Sequence, residues 1–139
     1  MQILSAQTPF TIEAVRHDIA PIIDGDINDS VWDNAALAQN FIQYEPKWGQ
    51  PSGARTSVRV LYDDQYLYFA FEMEEGNDII SQLTNRDSDL ENDDAVIVIL
   101  DTYHDKQSAY YFSTNMLGTQ ADGTIINDGK SKDESWDGK

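Results

Sequence analysis

The sequence predicts an all-β protein, either a β-sandwich or a β-barrel, with little helix. Apolar residues alternate with polar ones in several short segments, as in strands that bury one face. Asp, Asn and Gly recur between these segments at a spacing of about ten residues, which is typical of sandwiches and barrels. The chain has 139 residues, room for one domain, which we expect to span 1–139.

Two neighbouring segments show the alternation most clearly. The first runs from about Ala54 to Tyr62, with Val58, Val60 and Tyr62 on one face. The residues 63–65, Asp-Asp-Gln, then predict a hairpin turn. In the second segment one face carries four apolar side chains, so Met73 is predicted to lie in the core: Leu67, Phe69, Phe71 and Met73.

Other elements follow from composition. Ala95 to Leu100 is a continuous apolar run, which predicts a central strand covered on both faces. Gln107 to Asn115 is a strand rich in Tyr and Phe, whereas Thr11 to Val15 and Thr124 to Ile126 are weaker candidates. A short helix is predicted for residues 30–36, with Asn28 or Asp29 as its cap and with Trp32, Ala35 and Ala36 on one face.

The charge excludes several classes of protein. Nine Lys and Arg oppose 25 Asp and Glu, a net charge of −16, which disfavours nucleic acid and anionic membrane surfaces. No apolar run is long enough to span a bilayer as a helix, so we expect no direct membrane insertion.

Cysteine is absent, which fits export. The first seven residues lack the features of a signal peptide and fit a mature start with an added Met.

Two acidic segments are candidate calcium sites. Residues 24–29 resemble the opening of an EF-hand loop, but Asp29 replaces the required Gly and Ala35 the bidentate Glu, so a turn before the helix is favoured. The second segment could supply a structural Ca²⁺ site, although a solvated acidic rim is the simpler interpretation. Its candidate ligands are Asp87, Asp89, Asp93 and Asp94.

Catalytic patterns are missing from the sequence. The two imidazoles, His17 and His104, belong to no recognisable triad or zinc motif, and we expect no enzyme activity. Trp48 lies in a loop between Pro46 and Pro51, where an indole can serve as a platform for a sugar or pack against the sheet edge.

Four segments resemble the motifs of the family 9 carbohydrate-binding module, of the DOMON-like sandwich group. They lie at 20–32, 58–68, 93–101 and 109–115. The resemblance implies a jelly-roll-like β-sandwich of mainly antiparallel strands, binding rather than catalysis, and often structural Ca²⁺. Further similarities indicate the version at the N-terminus of large bacterial envelope proteins, ahead of a segment that resembles an outer-membrane barrel: Pro46, Gly49, Pro51, 102–105 and 117–123.

The departures from the family pattern concern the sugar site. Glu91 lies near the position of a Trp that clamps the sugar, Ile97 replaces a binding Glu and Ser113 replaces a binding Arg, while Asn115 is kept. The second Trp of the clamp would lie beyond residue 139. Since Trp136 fits the start of a late motif, we expect the final strands to be missing, which would lower stability by leaving an open edge.

The leading hypothesis is a non-catalytic carbohydrate-binding module of an exported protein in the periplasm or on the outer-membrane surface of a Gram-negative bacterium. Its ligand would be a glycan or surface polymer. The candidate contacts are Trp48, Arg86, Tyr111 and Asn115, although Arg86 also suits a structural ion pair.

Two alternatives stay open. The first is a structural or protein-interaction module that serves the chain's own C-terminal barrel domain or another envelope protein, and burial of Trp48 would favour it. The second is a haem-binding DOMON-like domain that uses Met73, Met116 or His104.

Overall fold

The computed structural model describes residues 11–74 and 78–138. The chain divides into two compact units, Met1–Gly76 and Asn77–Lys139. Among these described residues, each unit contains a four-stranded sheet, and all strand pairings but one are antiparallel. The prediction of an all-β protein with two mainly antiparallel sheets is confirmed, and the strand content is consistent with a β-sandwich. In the described residues, no helix has the length and hydrophobicity needed to cross a membrane.

The sheet of the first unit is centred on its third strand. One edge of that strand pairs with two short strands, the first of them parallel, and the other edge forms a long hairpin. The elements in chain order are β1 (Val15–Arg16), a 3₁₀ helix (Ser30–Asn34), β2 (Ala36–Ala38), β3 (Arg55–Tyr62) and β4 (Leu67–Glu74).

The predicted hairpin turn between β3 and β4 is confirmed. The Asp63 carboxylate organises it by accepting hydrogen bonds from the backbone N–H groups of Gln65 and Tyr66, both at 2.7 Å, and from the Tyr68 hydroxyl at 2.7 Å. These bonds favour the ionised carboxylate, with the Tyr68 bond the largest cause, and lower the pKa of Asp63. The same bond raises the pKa of Tyr68 to about 12.

The helix prediction is wrong in extent and in capping. The segment is a 3₁₀ helix that ends at Asn34, because the Ala35 N–H bonds to the Trp32 carbonyl three residues back and Ala36 already pairs in β2. Asp29 occupies the N-cap position, but its side chain makes no capping bond. Thr11 to Val15 is likewise mostly outside the strand that forms, β1 (Val15–Arg16).

The core of the first unit surrounds Trp32, which is 4% exposed. It packs with Val31, Leu61 and Ala70, and Tyr68 lies against the cluster. This core uses the face of β4 opposite the one predicted from alternation. Met73 is 55% exposed, so its prediction as a core residue is wrong.

The second unit is a meander in which each strand pairs with the next along the chain. Gly118, with φ +78°, lies in the tight turn between its second and third strands, where a left-handed conformation is needed. The elements are a 3₁₀ helix (Leu90–Asn92), β5 (Ala95–Leu100), β6 (Ala109–Asn115), β7 (Gln120–Ile126) and β8 (Ser131–Asp133).

The prediction that Ala95 to Leu100 is a central, fully covered strand is wrong. Among the described residues β5 has a ladder partner only in β6, so it lies at the end of the sheet order. Ile97 and Ile99 are each 58% exposed. A continuous apolar run arises when both faces are buried, but it also arises when one apolar face stays open, and the sequence pattern does not separate the two.

Trp136 packs on the opposite face of this sheet. Its ring centroid lies 4.7 Å from that of Tyr110 and 5.9 Å from that of Phe112. Beyond β6 the chain forms the two further strands β7 and β8, where the sequence predicted only a weak strand at 124–126.

Candidate functional site

One face of the second unit's sheet forms the floor of a cleft of about 130 Å³. The strand register places its side chains on the same face, since Ile97 pairs with Ser113, Ser113 with Ala121, and Ile125 with Lys132. The floor is mostly apolar, and its polar groups are two hydroxyls. The floor residues are Ala95, Ile97, Ile99, Tyr111, Ser113, Ala121 and Ile125.

Tyr111 fits into this floor because its cross-strand partner is Gly123. A Cβ at Gly123 would lie 2.7 Å from the Tyr111 ring and 2.7 Å from the Asp133 carbonyl oxygen. No larger residue fits there without moving the ring or the backbone. Burial, and then the nearby carboxylates led by Glu134 and Asp122, raise the pKa of Tyr111.

The rim of the cleft is acidic. The 3₁₀ helix that precedes β5 contributes Glu91, whose backbone N–H is capped by the Asp89 carboxylate at 3.1 Å. Lys132 lies 3.6 Å from Glu91, and its ammonium is 5.8 Å from the centre of the Tyr111 ring. Glu134 also lines the cleft.

Arg86 is the centre of an ion-pair network in the second unit. It donates to the buried Asp122 and to Gln120, and it lies 3.5 Å from Asp87 and 3.4 Å from Asp137. This network ties the segment before β5 to β7 and to the end of the chain. The geometry therefore gives Arg86 a structural role, and its contact with a ligand stays a prediction.

Asn115 is 5% exposed, and both the NH₂ group and the oxygen of its side chain form hydrogen bonds within the protein. Its NH₂ group donates to the Leu83 carbonyl at 2.9 Å and to Asp93 at 2.8 Å. Its oxygen accepts from the N–H groups of Leu117 at 3.0 Å and Thr119 at 2.9 Å. These bonds fix the turn after β6. A ligand contact by Asn115 likewise stays a prediction.

The four predicted calcium ligands are engaged separately. Asp93 accepts from Gln82, Leu83 and Asn115, Asp94 accepts from Ile80, Asp89 caps the 3₁₀ helix, and Asp87 faces Arg86. Among residues 11–74 and 78–138, no three acidic or imidazole side chains converge as a metal site would require. Calcium binding by these four carboxylates stays a prediction.

Acid is expected to destabilise the protein partly through Asp93. Hydrogen bonds from Asn115, Leu83 and Gln82, the first the largest cause, lower the pKa of Asp93 from its ordinary 3.8. The unfolded chain then takes up the proton first, so this stabilisation is present above about pH 3.8 and is lost as the pH falls through the lower folded pKa.

The measurement is urea unfolding between neutral pH and about pH 3. In the Asp93→Asn variant, the free energy of unfolding should fall less steeply as the pH is lowered. Asp128→Asn is the matched control, because it removes the same charge from an exposed turn. An equal flattening by both variants would show that relief of general charge repulsion, rather than the Asp93 bonds, governs the response.

Trp48 lies in the first unit, on the loop between β2 and β3. It is 72% exposed and contacts Tyr44 edge-on, with ring centroids 4.9 Å apart. The exposure favours a sugar platform over a packing role. Met73 and Met116, which the haem alternative would use, are also exposed, and His104 lies in a turn with φ +53°.

Sequence reasoning identified Tyr111 but missed several residues of the cleft. Ile99, Gly123, Lys132 and Glu134 lie in it or against its floor. The one sequence signal for this group is the alternation of small and apolar residues at 121, 123 and 125.

A family model described as carbohydrate family 9 binding domain-like matches residues 23–138. The chain belongs to this family. Comparison with curated proteins and with solved structures gave no significant match. Three of the family's sugar-site positions, as the sequence resemblance places them, lie on the cleft: Glu91 on the rim and Ile97 and Ser113 on the floor. Family membership makes the chain a carbohydrate-binding-like module.

Proposed function

We propose that the protein is a non-catalytic module that binds a glycan in the cleft of its second unit. One observation carries the proposal: the cleft with the open apolar floor is also where the family's sugar-site positions lie, at Glu91, Ile97 and Ser113. Sugars present apolar C–H faces beside their hydroxyls. Ile97 and Ile99 can contact the C–H faces, and the hydroxyls of Tyr111 and Ser113 can hydrogen-bond to the sugar hydroxyls. The cleft is small compared with enclosed sites of about 300–1,000 Å³, so it suits a sugar ring resting on its floor.

The exposed pair Tyr44 and Trp48 is a second candidate contact, in the first unit. Aromatic faces stack on sugar C–H groups, while the Tyr hydroxyl and the indole N–H donate hydrogen bonds. The exposure of both rings supports this assignment. We include the pair in the proposal as a contact that mutation tests separately.

The proposed setting is an exported protein of the bacterial envelope, in the periplasm or on the outer-membrane surface. The similarity of residues 102–105 and 117–123 to such proteins supports it. Fractionation of a native host should find the protein outside the cytoplasm, and recovery in the cytosolic fraction would contradict this part of the proposal.

A structural or protein-interaction module is the second candidate function. Ile97 stands where the family has a binding Glu, Ile97 and Ile99 are exposed apolar side chains, and the family's platform Trp is missing near Glu91. Exposed apolar patches of this kind also mark protein interfaces. The partner would be the chain's own C-terminal domain or another envelope protein.

The binding proposal is tested with Ile97→Gln. This side chain is exposed in the free protein, so its replacement should leave the fold intact while removing apolar contact from the cleft floor. We expect the affinity for a responsive oligosaccharide to fall about tenfold, since covering an Ile side chain contributes roughly 1.5–3 kcal/mol. Titration calorimetry over a panel of neutral and charged oligosaccharides provides the measurement.

Ile79→Gln is the matched control, because Ile79 is exposed in the same unit but does not line the cleft. If both variants lost the same affinity for the oligosaccharide, the cleft would not be the binding site. Loss in Trp48→Ala alone would assign binding to the aromatic pair. Absence of binding to the whole panel would favour the interaction module.

Calcium stays a prediction of the family resemblance. A rise in the thermal midpoint on adding CaCl₂, reversed by EDTA, would support a structural site, because a ligand that binds only the folded state stabilises it. An unchanged midpoint would contradict it and would agree with the separate engagement of Asp87, Asp89, Asp93 and Asp94.

A further inference from the structure

The cleft of the second unit combines its apolar floor with an excess of negative charge. Of the residues that the structure describes, five carboxylates line it, against the single cation Lys132. Even when Arg86 is added for its pairs with Asp87 and Asp122, five negative charges face two positive ones, which leaves three. The carboxylates are those of Asp87, Asp89, Glu91, Asp122 and Glu134.

These carboxylates differ in how far they are neutralised. Asp122 and Asp87 face Arg86, and Glu91 faces Lys132. Within the described ranges, Asp89 and Glu134 form no salt bridge. Both sit on the rim, and both are among the charges that raise the pKa of Tyr111 on the floor. The negative potential of the rim therefore reaches the surface on which a ligand would rest.

We propose that the cleft selects glycans that carry a protonated amino group, such as glucosamine units, over neutral or anionic sugars. The inference rests on the proposed function, since it names the ligand class of the same site. The sugar ring would lie on Ile97 and Ile99 with its ammonium group towards Glu134 and Asp89. Uronate or sulfated sugars would meet like charge there, which is unfavourable.

The first test compares oligosaccharides of equal length, and the cationic and neutral ones also share one linkage. β-1,4-linked oligomers of glucosamine, N-acetylglucosamine and glucose, with oligogalacturonate as the anionic probe, are titrated near pH 6, where the amine is protonated. We expect the glucosamine oligomer to bind about tenfold more tightly than the neutral ones at low salt. The advantage should shrink at about 0.5 M NaCl, because salt screens exposed charges.

Matched variants test the rim. Glu134→Gln should weaken glucosamine binding about threefold to fivefold, the size expected for one charge at the protein surface, with little effect on neutral sugars. Lys132→Gln should act in the opposite direction and strengthen it. Asp128→Asn changes the charge by the same amount in the turn between β7 and β8, outside the cleft, and should have little effect.

The outcomes separate this inference from the proposed function. Equal binding of glucose and glucosamine oligomers in the cleft would overturn the selectivity while keeping a carbohydrate-binding module. Equal effects of Glu134→Gln and Asp128→Asn would overturn it by assigning the preference to overall charge. If oligolysine displaced the glucosamine oligomer and bound with the same affinity, the selectivity for amino sugars would be overturned and a basic peptide would be the better ligand. No binding by any sugar would overturn both proposals.

Discussion

Replacing Trp32 by Ala is expected to lower the free energy of unfolding by about 3–5 kcal/mol. The indole is 4% exposed and packs with Val31, Leu61 and Ala70, so its removal would leave a cavity in the middle of the first unit. The 3₁₀ helix that carries it would also lose its main attachment to β3 and β4. Urea unfolding, followed by far-ultraviolet circular dichroism to avoid dependence on Trp fluorescence, measures the change.

Trp48→Ala is the matched control for this prediction. The same atoms are removed, but from a side chain that is 72% exposed and has an edge contact to Tyr44. We expect the free energy of unfolding to fall by about 1 kcal/mol or less, which is the size of an aromatic pair contact. If the two variants were equally stable, the core around Trp32 would not be the one that stabilises the first unit.

Replacing Asn115 by Ala is expected to lower the free energy of unfolding by about 3 kcal/mol. The variant removes four internal hydrogen bonds and leaves the part-buried carbonyl of Leu83 and the buried N–H of Thr119 with fewer partners, each at a cost of roughly 1–3 kcal/mol that is partly relieved by water. The segment at 82–83 and the turn after β6 should loosen together. Hydrogen exchange of the Leu117 and Thr119 amides would locate the change.

Asn92→Ala provides the control, because Asn92 is an exposed amide in the same unit. We expect it to change stability little. A variant Asn115→Ala that kept its stability but lost glycan binding would contradict the structural role and would confirm the ligand contact predicted from the family resemblance.

The sequence predicted the strands that carry strong local signals. Alternation located the β3–β4 hairpin, and Asp63 at the turn follows from the tendency of Asp to bond the backbone two residues on. The apolar run and the Tyr-rich segment located β5 and β6 to within two residues. The ordered motifs predicted the family. Tyr111 was found because a Tyr-rich strand is itself a sequence signal.

The tertiary structure decided which faces are covered and what the polar residues do. Trp32 sets the core on the face of Tyr68 and Ala70, so Met73 is exposed, whereas alternation had predicted the opposite face of β4 as the interior. Asn115 and Arg86 turn inward to partners about 30 residues away in sequence, which no local pattern encodes. The cleft likewise depends on strand register, since Ile97, Ser113 and Ala121 come together only when three strands pair. Local sequence determined the strands because propensity and alternation act between near neighbours, whereas the site required long-range pairing.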